Sequence, residues 1–151
     1  MKKIFILLLL ACGTAASAQF VAKMEVKEPI PGICDDKEVY ALFPMFEGQV
    51  EAVAPVTKDE LLKKLNEISY LKDNPKTKTK GMVSLVINCK GKVVQCEMDG
   101  NNKTSSEALD KQIVAVFNSL GEWKPGKLNG KEVDSSRLFS FKVKGGKISW
   151  D

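Results

Sequence analysis

The sequence predicts an α+β domain: a small antiparallel sheet, made of a hairpin plus C-terminal strands, with two helices packed on one face. Three observations predict it. Apolar residues alternate with polar ones over 82–98 and again over 137–143, the period of half-buried strands. Residues 57–71 and 104–120 instead carry apolar residues at helical spacing behind capping signals. The resulting order, helix, strand, strand, helix, strand, leaves one apolar sheet face for the helices to cover.

Taken in order, residues 1–18 read as a secretory signal peptide. Lys2 and Lys3 precede an unbroken apolar run from Ile4 to Ala11, and Ala16-Ser17-Ala18 forms an A-x-A-like cleavage site before Gln19. The run is too short for a mature span, which needs about 20 residues. Leu9-Leu10-Ala11-Cys12 also matches a lipoprotein box that would lipidate Cys12, but a cut there would leave an unusually short signal. The expected location is periplasmic or secreted. Residues 19–55 read as an extended or irregular segment, with turn formers in E-P-I-P-G-I-C-D-D and Pro44 inside an apolar stretch suited only to an edge strand or an arm.

The domain proper is expected over 56–151. Thr57 and Glu60 make a capping box, and Leu61, Leu65 and Ile68 follow on one face of a single helix of about three to four turns. Val83, Leu85 and Ile87 alternate along a strand. Gly91 turns the chain, and 93–98 returns with Cys96 and Met98 on one face. Thr104 and Glu107 make a second capping box before the stripe Leu109, Ile113, Val116, Phe117 and Leu120. Trp123 is expected to pack beneath that helix, and Asn129-Gly130 is a two-residue hairpin turn. Phe139, Phe141 and Val143 alternate along the last strand. Gly145-Gly146 then leads into a short tail.

Composition excludes several functions. The chain has no histidine, which removes Ser-His-Asp and Cys-His catalysis and histidine-ligated zinc. Without Lys2 and Lys3 the 23 basic residues fall to 21 against 19 acidic, a net +2 that gives no support to nucleic-acid binding. No catalytic set, cofactor or metal site is expected. Cys34, Cys89 and Cys96 remain after cleavage, enough for one disulfide and one free thiol. With Gly91 in the turn, Cys89 and Cys96 lie farther apart than the roughly 7 Å Cα limit for a bridge. Cys34 is therefore expected to pair with one of them. The reading leans to Cys96, leaving Cys89 as an exposed thiol.

The block 81–143 resembles the TonB C-terminal domain family. The resemblance rests on the hairpin with its glycine turn, on S-S-E-A-L-D before the helix, on W-K-P-G-K-L-N-G-K-E-V, and on the alternating last strand. Upstream, P-V-T-K-D-E-L-L-K-K-L-N resembles the extra helix of Bacteroidetes-type versions. Members of the family carry energy to outer-membrane receptors, and their C-terminal domain docks a short receptor segment by strand addition. The resemblance implies a protein-binding module that pairs an edge strand with an extended peptide of an envelope protein, with a link to outer-membrane transport. The strand expected to do so comprises Arg137, Leu138, Phe139, Ser140, Phe141, Lys142 and Val143. The chain departs from the family in lacking the histidine-bearing membrane helix and the long proline-rich spacer of a full transducer. The alternative is a stand-alone envelope structural or assembly protein, for which an edge-paired homodimer would fit.

Overall fold

Alternation along the 78–87 segment builds the backbone of the fold. In the computed structural model, which describes residues 20–24, 26 and 28–151, this segment is a ten-residue interior strand of a six-stranded sheet. Numbered along the chain, the strands are β1 (Ala22–Met24), β2 (Val39–Ala41), β3 (Gln49–Val50), β4 (Lys78–Ile87), β5 (Val93–Met98), β6 (Gly126–Leu128), β7 (Lys131–Val133), β8 (Ser135–Lys144) and β9 (Lys147–Trp150). The helices are α1 (Lys58–Asn66), α2 (Ser69–Asp73) and α3 (Glu107–Asn118). The main sheet runs β1-β2-β8-β4-β5, with β9 also paired to β8, and β3-β6-β7 form a second, three-stranded sheet. All pairs are antiparallel except β2 with β8. The expected α+β class is present, with a third helix and a second sheet added. The signal-peptide reading of 1–18 falls outside the described residues.

Register explains the core. Val83 pairs with Phe139 and Leu85 with Arg137, so β4 and β8 turn the same alternate positions toward the helices. Val83, Leu85, Ile87, Phe141 and Val143 are buried there with Leu61, Leu65, Leu109, Ile113 and Phe117. Burying each such side chain is worth about 1.5–3 kcal/mol, which makes this face the main source of stability. Trp123, as expected, lies in the same cluster at 2 % exposure. Its backbone N–H donates to the carbonyl of Gly91 at 2.8 Å. Gly91 has φ 80°, and a Cβ there would stand 2.0 Å from the Trp123 carbonyl oxygen. Only glycine lets the hairpin turn and the post-helix loop meet.

The helices depart from expectation in two places. The Thr57–Glu60 capping box forms, but the predicted single helix breaks at Ile68, whose backbone is extended at φ −53°, ψ 128°. Tertiary bonds explain the break. Gln112 of α3 accepts from the Tyr70 N–H and the Ser69 hydroxyl, both at 3.1 Å, capping a new helix start that buries Leu71. In α3 the N-cap is Ser106, not Thr104. The Thr104 hydroxyl instead donates to the buried Asp110 carboxylate at 2.6 Å, and Glu107 pairs with Lys111.

The N-terminal segment is more ordered than its turn-rich sequence predicts. It contributes β1, β2 and β3, and its turn around Gly32 packs at the hairpin end of β4 and β5. Asn88 Nδ2 donates to the Gly32 carbonyl at 2.8 Å, and Gly32 packs against Val94. Val86, which points away from the helices, is nevertheless only 2 % exposed. The short tail after Gly145-Gly146 pairs as β9 with Phe141–Lys144 and places Ile148 in the core cluster.

Candidate functional site

Strand addition needs a sheet edge with unpaired N–H and C=O groups. The expected docking strand, Arg137 to Val143, is not such an edge. β8 is paired along its whole length with β4 on one side. On the other side, β2 takes Ser135 and Ser136, β9 takes 141–144, and the Ser140 carbonyl accepts from the Asp151 N–H at 3.2 Å. Only 137–139 are left between them. Across that gap Arg137 bonds the Glu51 carboxylate at 2.7 Å and the Ala52 carbonyl at 2.9 Å, with its guanidinium over the Phe139 ring. Phe141 and Val143 are each 1 % exposed, Lys142 pairs with Asp151, and Leu138 stands exposed on the far face. The strand's alternation was a core signal.

The other edges differ in how they are finished. β9 is closed by a side chain. Asn66, at the end of α1, donates to the Ile148 carbonyl at 3.1 Å and accepts the Ile148 N–H at 2.8 Å, so its amide mimics a neighbouring strand. β1 and β7 are three residues long, short enough to be poor templates. β5 is six residues long and ends the strand order beyond β4. Its register slips between 86 and 87, making Val94 a bulged residue that turns to Gly32. The stretch Gln95–Met98 remains as a straight outer edge.

α3 runs beside this edge. Between them lies a cleft of about 310 Å³ lined by Cys96, Met98, Asp110, Lys111 and Val114. A second, of about 520 Å³, is lined by Val93, Asn118 and Glu122 nearer the hairpin turn. Glu107, Lys111, Val114 and Asn118 follow helical spacing, so one stripe of α3 forms the wall. The floor is apolar and the rim carries both charge signs. Gln95 Nε2 donates to Glu97 at 2.9 Å, while Gln95 Oε1 is buried without a partner among the described residues.

The cysteines correct a second expectation. Cys34 bonds Cys89, not Cys96, with Cα atoms 6.0 Å apart. The turn at Gly32–Cys34 meets the hairpin turn, where Cys89 sits, through Asn88 and the shared Asp134 carboxylate. Cys96 pairs in register with Leu85 and so points to the helix side. Its thiol is free, and burial, helped by Glu97, pushes its pKa up to about 12, so it stays protonated at neutral pH. The disulfide is compatible with an oxidising compartment outside the cytosol. No helix among the described residues is long and apolar enough to cross a membrane.

Sequence reasoning missed Asp134. It is 2 % exposed, and its carboxylate accepts backbone N–H groups from Cys34, Asp35 and Cys89 at 2.7, 2.7 and 2.9 Å. A lone aspartate after a hairpin carries no pattern that would mark it. Comparisons with protein-family models, with curated proteins and with solved structures found no match.

Proposed function

We propose that this chain is a protein-binding module of the TonB C-terminal type that works outside the cytoplasm. It docks an extended segment of an envelope protein by strand addition at β5, in the service of outer-membrane transport. The supporting observation is the contrast among edges: β5 alone among the described edge strands joins useful length to an adjoining groove, the cleft against α3. A peptide laid along Gln95–Met98 gains backbone hydrogen bonds from the edge. It sends every second side chain onto the Cys96–Met98–Val114 floor, and this gives specificity. The absence of histidine favours binding over acid–base catalysis of the common kinds.

Val114→Arg tests the reading. The side chain is only partly buried, so its replacement fills the groove at a stability cost of about 1 kcal/mol, near the mean for point changes. Wild-type protein is expected to recover a partner from envelope extracts and the variant to lose it. Equal recovery would overturn docking at β5. A free β5 edge also suits pairing with a second copy, so a concentration-dependent dimer that recovers nothing favours the structural-protein alternative.

A further inference from the structure

Asp134 holds two cysteines on one carboxylate. Its Oδ2 takes the N–H groups of Cys34 and Asp35, and its Oδ1 takes that of Cys89. An ionised carboxylate offers about four acceptor positions, so one on Oδ1 remains open. The two sulfurs and a carboxylate oxygen of Asp134 lie within 4.8 Å of one another. The three N–H bonds fix the backbones of both cysteines independently of the bond between their sulfurs. Once that bond is broken, two thiols remain side by side next to a buried carboxylate.

We propose that the reduced form of this chain binds one zinc-class divalent cation through Cys34 Sγ, Cys89 Sγ and Asp134 Oδ1, with water in the fourth position. The donor set suits a borderline-soft ion that accepts thiolate and carboxylate in a tetrahedron. With Zn–S near 2.3 Å, two tetrahedral sulfurs stand about 3.8 Å apart, a small opening from their bonded position. The chemistry balances. An external dithiol gives two electrons and two protons to the cystine sulfurs and closes to its own cyclic disulfide. The cation then displaces both thiol protons as two metal–sulfur bonds form. Disulfide and cation compete for the same sulfurs, so the site opens only under reduction. Cys34 is exposed, which gives reductant and cation a path in. Cys96 lies on the opposite face of the sheet and takes no part.

The test uses the mature chain carrying Cys96→Ser, reduced, freed of reductant and titrated without oxygen with Co²⁺ alone. One equivalent is expected to bind and give a thiolate-to-cobalt charge-transfer absorption that Zn²⁺ abolishes and that the oxidised protein never shows. Cys34→Ser keeps every backbone donor to Asp134 and so keeps the clamp, yet it should remove the band. Asp134→Asn should weaken binding by at least about tenfold. Absence of the band in the reduced parent, its persistence in Cys34→Ser, or half an equivalent bound with dimer formation would each overturn the proposal.

Discussion

The two flanks of the main sheet are finished in opposite ways. On the β8 flank the chain uses its own backbone: β2 and β9 fill most of the edge, Arg137 reaches across the remainder, and the Asn66 amide seals β9. On the β5 flank no described strand follows, and α3 stands off far enough to leave a groove. An exposed edge invites unwanted pairing, and proteins generally blunt it. A chain that seals one flank with four separate devices and leaves the other open has an edge available for a partner. The bulge at Val94 limits the open stretch to four residues, which under the proposed docking would set the length of the segment bound.

Three changes break or sharpen this contrast. Phe141→Ala should have the largest effect, a loss of about 3–5 kcal/mol in denaturant unfolding, because it empties a fully buried ring site on the closed flank. A small loss would mean that β8 is not core. Asn66→Ala should cost about 1–3 kcal/mol by leaving the buried Ile148 peptide groups unpaired. It should also turn β9 into an edge, read as concentration-dependent self-association; a variant that stays monomeric and stable would show that the amide seals nothing. The smallest effect concerns the floor of the open groove. The Cys96 thiol has its pKa raised from about 9 to about 12, chiefly by burial. Above pH 9 the unfolded chain loses this proton before the folded one does, so the contribution is complete below pH 9 and is lost as pH rises toward 12. Cys96→Ser should flatten the fall in stability over that window, and native Cys96 should alkylate slowly at pH 8 until the chain is unfolded.

Local patterns revealed the helix-facing half of the fold and concealed the rest. The Val83–Leu85–Ile87 alternation, the Thr57–Glu60 box and the Asn129-Gly130 turn each depend on residues close in sequence, and each formed as read. Bonds across long separations were invisible. Gln112 splits one predicted helix in two, Asn66 closes β9 from 82 residues away, and Asp134 gathers Cys34 from 100 residues away. The disulfide turned on the same point. Spacing excluded a Cys89–Cys96 bridge, but where the Gly32–Cys34 turn docks is a tertiary fact, and it selects Cys89. Reading β8 as a docking edge failed because an alternating strand looks the same in sequence whether or not distant segments have covered its edge.

Site-specific photo-crosslinking in the native host tests the central claim most directly. A photoreactive side chain is placed either at Glu97, exposed on the open β5 edge, or at Leu138, 57 % exposed on β8. The account predicts a covalent adduct with an envelope protein from position 97 and none from position 138. An adduct from position 138 with none from 97 would contradict it and return docking to the last long strand.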